Sequence, residues 1–579
     1  MDAKIPSSFS KSLFFGHIPE SMVIPYPRIS IGEREKLKDF LGKIHQLSNT
    51  SIDSARIDRE AHHPPELLDA LKQLGLFGLS IPSSEGGLGL TTTSYARALQ
   101  EIASIDASVG VSLVGHEALG CRGILLHGSA EQRRRYLPRL ASGELVAAFA
   151  LTEPGSGSDA ASIQGRATRQ PDGSFLLDCH KIWIVNGGIA GLFTVFAQTE
   201  VERQGERTDR ITAFLVESGT PGLTIGPEEP KLGVRGVSTT SLTLAKVRVA
   251  PENVLGQVGG GFKVAMGVLN AGRLVAAAST LGAADQVMQL AIGHATARHQ
   301  FGRAISEFGL IKDKVGLMML DAFAAESMVY LTTGLVDRGV QDYSLESAMC
   351  KVYGSEMLWR VVNESAAIAA GKSFMSDHPY ERLLRDARVH LVFQGTNEIL
   401  RCFIALSGMQ GPGDRLAQLS EFIKWPLKGY GLAIDFVVDK LMTQYVGDKT
   451  VEQAHQMLKR ETVLFEDNVP ELAKQVEKTL RKHGKMISEM QYVQRRVADM
   501  TIDLYLMIAC ISRTTASILE KGGPAAEREA RLCRAACGRA AHRIRRNIRR
   551  FDDNDDELVK SIARDAYDAG RYGLDVVLG

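Results

Sequence analysis

From about Ser30 to Gly143 apolar residues recur at three- and four-residue steps, the spacing of a helix with one buried face. Pro65-Glu66 opens a segment that carries Leu67, Leu68, Leu71 and Leu74 on one stripe before Gly75, a helix start and stop. Gly86-Gly87-Leu88-Gly89 interrupts the pattern, and helices are predicted again over Tyr95 to Ile105 and Ala130 to Leu140. From about Leu145 to Leu255 the texture changes to short β-branched and aromatic runs: Phe175-Leu176-Leu177, Ile182-Trp183-Ile184-Val185, Phe193-Thr194-Val195-Phe196 and Ile211 to Val216. Pro171-Asp172-Gly173 and Asn186-Gly187-Gly188 punctuate them as turns. After Gly259-Gly260-Gly261 long helical spacing returns as far as Gly411-Pro412-Gly413, which reads as a boundary, and the rest is helical again, with Met486, Met490, Val493 and Val497 on one face. The order α, β, α, α divides the chain at 30–144, 145–256, 257–411 and 412–579.

Composition narrows the class of molecule. Its 579 residues, 44% hydrophobic and 23% charged, are those of a globular chain of several domains. Lys+Arg 68 against Asp+Glu 67 leaves a net charge of +1, which gives no general field for nucleic acid. The seven cysteines are scattered without metal spacing, which fits a reducing compartment; Cys533 and Cys537, one helical turn apart, read as an ordinary helix face. No metal site is expected. The first twenty residues carry neither a signal-peptide core nor an Arg/Ser-rich transit pattern, and no apolar run approaches the roughly 18 residues that would span a bilayer. A bacterial cytoplasm, or a mitochondrial matrix or inner-membrane face for a trimmed protein, is expected.

Leu151-Thr152-Glu153-Pro154-Gly155-Ser156-Gly157-Ser158-Asp159 is a loop of small residues that can bring backbone N–H groups and hydroxyls against a ligand, or can be a plain surface loop. It is followed, in order, by Trp183-Ile184-Val185-Asn186-Gly187-Gly188, Lys231-Leu232-Gly233-Val234-Arg235-Gly236, Arg298-His299-Gln300-Phe301-Gly302 and Phe393-Gln394-Gly395-Thr396-Asn397. That set, over about residues 35 to 410, resembles the acyl-CoA dehydrogenase family. The helical tail, with Glu307-Phe308-Gly309-Leu310-Ile311 and Tyr380-Glu381-Arg382, is similar to the very-long-chain branch and its complex-I-assembly paralogue. The resemblance implies an α+β multidomain fold: an N-terminal α domain, a β-barrel-like middle domain, a four-helix C-terminal α domain and an extra helical domain.

It also implies an FAD flavoprotein that takes the α-hydrogen of a fatty acyl-CoA as a proton and the β-hydrogen as hydride, the cofactor supplying the redox step and the protein a base and position. By position, Phe149, Leu151, Thr152, Gly157 and Ser158 would edge the flavin and the thioester arm, and Trp183 would shield the ring. Arg298 and Phe301 would reach FAD across a subunit contact of a homodimer, and Thr396 and Glu398 would lie near the adenosine and ribose. Asn270 and Arg273 would line the pantetheine tunnel, with Ser158 and Gly395 also at the substrate. An electron-transfer flavoprotein would be the redox partner. On its own Trp183 reads first as a β-domain core tryptophan, and the company of the other motifs reverses that reading.

The chain departs from the family where chemistry is concentrated. The glutamate that serves as base is Gln394, whose amide accepts no proton at neutral pH, and the alternative base position is Gly272. Glu398, one turn beyond Gln394, is the nearest carboxylate in sequence and reads as a cofactor contact or a solvated face. A threonine hydroxyl near the flavin is replaced by Val185, an adenine-side glutamine by Ala367, and the Gly-Gly-x-Gly turn at the diphosphate reads Ala370-Gly371-Lys372-Ser373, where an added Cβ can block positive φ or crowd the phosphate. Three classes stay open: a dehydrogenase of long-chain acyl-CoAs, a retired homologue kept as a binding or assembly scaffold, and a non-redox acyl-CoA lyase or desulfinase. In the tail, arginines between Arg528 and Arg550 form either a solvated face paired with the acidic run Asp552–Glu557 or a contact for anionic lipid or an acidic partner. The membrane-contacting segment of the long-chain relatives matches about 416–445, with Phe422, Ile423, Trp425, Leu432, Ile434, Phe436 and Val437.

Overall fold

The computed structural model describes residues 8–203, 205–424, 451–574 and 576–577, so Trp425 and the rest of the expected membrane segment to Tyr445 lie outside the described residues, as do the side chains of Phe422 and Ile423. Helices fill the first 140 residues, and polar caps set several of their starts: Ser30 accepts from the Glu33 N–H, and Ser129 and Gln132 form a reciprocal capping box at Ala130–Ala141. Helix Pro65–Gln73 buries Leu67 and Leu71 and is stopped by Gly75 at φ +77°.

The β runs form one eight-stranded sheet in the order Leu223–Glu228, Thr239–Val249, Phe175–Val185, Arg166–Arg169, Leu192–Arg203, Glu206–Glu217, Val254–Leu255, with Ala147–Ala150 parallel to Leu192–Arg203. Both faces are buried where it matters. Phe214 and Val216 join a core with Phe175, Phe193 and Val195, while Ile211, Ala213 and Leu215 face the helices through Tyr136, Leu140 and Val268.

Four long helices follow: Gly261–Ala297, Gly309–Asp337, Ser344–Ala369 and Asn397–Lys424. Their core is continuous with that of the tail helices Lys459–His483, Gln491–Lys521 and Glu527–Arg550. Gly411-Pro412-Gly413, expected as a break, lies inside helix Asn397–Lys424. The glycines there serve packing: a Cβ on Gly408 or Gly411 would come within 2.0 Å of the Phe14 ring or 2.7 Å of the Phe15 ring. Those phenylalanines follow a short helix, Phe9–Leu13, that sequence periodicity does not single out. This N-terminal strap buries Phe9, Leu13 and Phe14, donates from the Ser8 hydroxyl and the Ser10 N–H to Glu346, and at Val23 accepts from the Ser512 hydroxyl.

Two further expectations change. Among the described residues four helices, Ala107–His127, Gly261–Ala297, Gly309–Asp337 and Gln491–Lys521, are long and apolar enough to cross a membrane, because alanine and glycine raise their hydropathy between scattered charges; 56–78% of each apolar stretch is buried within the fold. The arginines of helix Glu527–Arg550 do not pair with the acidic run after them. Asp552 receives Lys478 and Asp556 receives Arg496, whereas Arg543 turns inward to Asp503. Cys533 and Cys537 are buried on the inner face of that helix, their sulfurs 4.0 Å apart.

Candidate active site

Two half-sites meet on the helical segment Val114–Cys121, which is wound as a π-helix. One half is built by the sheet. Strand Phe175–Val185 carries one extra residue between Lys181 and Ile184, a bulge that turns Trp183 outward at φ +56° with 64% of its surface exposed. Trp183 is therefore not a core tryptophan. The loop after Ala150 is tied beside it: the Ile182 N–H donates to the Thr152 carbonyl, and buried Lys181 donates to the Leu151 carbonyl and to Glu153 at 2.7 Å. Glu153 also accepts from the Gly165 N–H, so the charged pair is fully used inside the fold and Gly157 and Ser158 are left exposed. Phe149 is half-buried against Phe196, their centroids 4.9 Å apart. Val185 packs on the same helical segment, where a Cβ on Gly115 would stand 2.5 Å from its methyl.

The second half is the turn before helix Asn397–Lys424. Gln394 and Gly395 are consecutive left-handed residues, φ +57° and +98°, a strained path for a glutamine. Two buried cations hold it. Arg273 donates from Nε to the Gln394 carbonyl at 3.1 Å, and Lys351 donates to the Gly395 carbonyl at 2.8 Å and to Asn397 at 2.9 Å. Burial pushes the Lys351 ammonium down to about 7, with Arg273 adding to it, and pushes Arg273 down to about 10. Arg273 also donates to the Asn270 side-chain oxygen at 3.0 Å. The Gln394 amide points inward: its oxygen and nitrogen are both buried with no partner among the described residues. A Cβ on Gly272 would lie 3.3 Å from that nitrogen and 2.7 Å from Leu119, which rises from the same π-helical segment that Val185 touches. Glu398 is exposed on the first turn of the helix that Thr396 caps, so it does not stand in for the missing carboxylate.

The remaining predicted positions form an exposed group. Arg298 and Phe301 end helix Gly261–Ala297, with Phe301 94% exposed at φ +53°. Ala367, Ala370 and Gly371 are also exposed, and Lys372 and Arg298 both lie close enough to His294 to help hold its pKa down, after burial. The Cβ of Ala370 does not block positive φ: the residue sits at φ +51°, ψ −133°, a region that otherwise belongs to glycine, at about 1–3 kcal/mol of strain. The Lys231–Gly236 motif is a clamp. Val234 donates to Asp386 at 2.5 Å, and Arg385 reaches the Leu232 carbonyl and Asp58, which joins sheet, first helices and helix Tyr380–Arg388.

Compared with known proteins, the chain matches the acyl-CoA dehydrogenase N-terminal domain over residues 34–144, the middle domain over 148–247, the C-terminal domain over 259–409 and the ACAD9/ACADV C-terminal domain over 456–572. It is 40% identical over 551 residues to the very long-chain specific acyl-CoA dehydrogenase, mitochondrial, of Bos taurus, covering 94% of this chain and 84% of that protein. The chain belongs to the acyl-CoA dehydrogenase family. Within the family, the acyl-CoA dehydrogenase from Bacillus anthracis, complexed with FAD, superposes with a TM-score of 0.77 at 28% identity, covering 95% of this chain and 94% of that one. Butyryl-CoA dehydrogenase from Megasphaera elsdenii gives 0.62 at 32% identity over 66% of this chain and 98% of its own.

Sequence reasoning missed the groups that hold the site. Gly115 and Leu119 carry no signal, because a π-helical turn has no composition of its own. Lys351 carried one: a lone lysine among Ala348, Met349, Cys350 and Val352 is a buried charge that needs partners.

Proposed function

We propose that the protein is an FAD flavoprotein that binds long-chain fatty acyl-CoA and is built for α,β-dehydrogenation, with proton abstraction held back by Gln394. Three observations on this chain fit a flavin: the outward Trp183 ring, the open space around the positions a Cβ would take on Gly155 and Gly157, and the orphaned Gln394 amide. When bound, FAD supplies the acceptor for the hydride from C3. Trp183 would cover the ring, and Phe149, Leu151, Thr152, Gly157 and Ser158 would edge it and the thioester. Asn270, Arg273 and Gly395 would line the pantetheine path. Arg298, Phe301, Ala367, Gly371, Thr396 and Glu398 would serve the adenosine end, the first four from a second copy in a homodimer, with an electron-transfer flavoprotein as oxidant.

The observation that carries the reading is the buried, unpartnered Gln394 amide beside Gly272 and Arg273. An unsatisfied buried polar group costs about 1–3 kcal/mol, which a polar group of the thioester recovers on binding. Gln394 keeps the volume of a base without its chemistry, and buried Arg273 and Lys351 are spent as donors to the backbone carbonyls of its turn. Loss of a general base costs about 10²- to 10⁴-fold in rate. The retired-scaffold reading draws its support from the strained Ala370 at the diphosphate turn together with Val185.

The test is a visible spectrum of the purified protein before and after anaerobic palmitoyl-CoA, with the Gln394→Glu variant alongside. A flavin band that shifts without bleaching in the wild type, and bleaches at least about 100-fold faster in the variant, is the expected result. Absence of a flavin band after incubation with FAD would replace this reading with the scaffold. Acyl-CoA cleavage without bleaching and without an electron acceptor would replace it with the lyase.

A further inference from the structure

Helix Asp556–Ala569 buries none of its residues within its own chain. Leu558 is 61%, Ile562 59% and Tyr567 80% exposed, and among the described residues the helix is anchored near its start, by Arg496 on Asp556 and by Lys560 over the Tyr492 ring. A helix of about 14 residues is marginal in water by propensity alone and owes its stability to packing on an apolar face. Among the described residues no element supplies that packing. The flank beside the apolar stripe carries an acidic excess, Glu557, Asp565 and Asp568 against Arg564.

A complementary surface lies on the same molecule. A cleft of about 650 Å³ opens between helix Gly309–Asp337 and the tail helices, and its apolar floor includes Leu310, Leu317, Val361 and Ile502. Most of the charges around it are spent on one another: Asp321 receives Arg360, Glu356 and Asp499 receive Arg401, Glu364 receives Lys314, and Asp503 receives Arg543. Among the described residues Arg539 at the rim has no such partner, and Arg546 lies close enough to Asp503 to help hold its pKa down, against Asp313 as the remaining carboxylate. An apolar lining with Arg539 exposed at its rim suits an apolar helix with carboxylates beside its stripe. The helix of the same chain is not among the residues that line the cleft.

We infer that helix Asp556–Ala569 is an exchanged arm: in a dimer, the arm of each copy seats its Leu558–Ile562 face in the cleft of the other, with Asp565 and Asp568 toward Arg539 and Arg546. A second copy fits better than a lipid surface, because the acidic flank would face anionic headgroups with the wrong sign. The two-fold exchange uses the same pair of surfaces twice, so a modest contact closes an assembly. The inference rests on the homodimer of the proposed function and assigns a different part of the chain to it.

The experiment uses the full chain. Ile562→Cys carrying a benzophenone is irradiated in a mixture of ¹⁵N-labelled and unlabelled copies, and the cross-linked peptides are read by mass spectrometry. Mixed-isotope links to peptides around Leu310 or Arg546 are expected. The dimer dissociation constant, from sedimentation, should rise at least tenfold in Ile562→Asp and in Arg539→Glu/Arg546→Glu, and recover in the latter when Asp565→Arg/Asp568→Arg is added. The arm substitutions change only exposed residues, so an unchanged melting curve checks the fold. Links confined to one isotope, or a dimer indifferent to every variant, would overturn the arm while leaving the dimer standing. A monomeric wild type would remove the subunit contact of Arg298 and Phe301 as well. Flotation of the wild type with phosphatidylserine vesicles, lost in Ile562→Asp, would assign the helix to a membrane instead.

Discussion

Gln394 shows how far a single side chain can be separated from the backbone that presents it. The left-handed turn at 394 and 395, and the two cations that clamp its carbonyls, remain in place around an amide that takes no proton. The clamp predicts that Lys351→Met, which leaves the Gly395 carbonyl and Asn397 without their donor, costs on the order of 10²-fold in the turnover of a Gln394→Glu background through misplacement of the side chain, with flavin content unchanged by absorbance. A second buried carboxylate sets a pH dependence. Burial pushes Glu117 up to about 7 from its ordinary 4.5, although the Ser80 hydroxyl and the Leu79 and Ser80 N–H groups donate to it. The folded protein therefore holds a proton that the unfolded chain has released between those values. The stability that proton confers is complete below 4.5 and is lost as pH rises through about 7. Relative to wild type, Glu117→Gln should gain on the order of 3 kcal/mol between pH 4.5 and pH 8, read from urea midpoints at several pH values.

The elements that carry the site are irregular ones. A bulge turns Trp183 out, a π-helical segment joins the half-sites, and a positive-φ pair presents Gln394. Gly115→Val would drive a side chain into Val185 and part the two halves, and a flavin dissociation constant at least tenfold weaker is expected, measured by absorbance titration. Regular elements were legible in the sequence because one period describes them: strand Glu206–Glu217 holds the Ile211–Val216 run, and helix Pro65–Gln73 starts and stops at its punctuation. The motif residues were legible as a set, since their order along the chain is what the family shares. The irregular geometry between them was not, because an extra residue in a strand or a helical turn leaves no periodic trace. Gly411-Pro412-Gly413 misled for a related reason: Gly411 makes room for Phe15 from a distant segment, as Gly408 one turn earlier does for Phe14, and local punctuation cannot tell that use from a turn.

At the scale of the whole molecule, the bundle and the tail share one core that the N-terminal strap ties together. Phe14, 2% exposed, lies against Gly408 of helix Asn397–Lys424, so Phe14→Ala should cost about 3–5 kcal/mol and lower the midpoint of heat unfolding for bundle and tail in one step. The strap also has a consequence in time. Val23 is hydrogen-bonded to Ser512, 489 positions later, and at roughly 5–20 residues per second a ribosome needs about 25–100 s to supply that partner. Until Glu346, Gly408 and Ser512 follow in turn, Phe9, Leu13 and Phe14 lack the cover they have in the finished fold. The strap is made well before the helices that seat it, and its rings gain their cover in steps as those helices emerge.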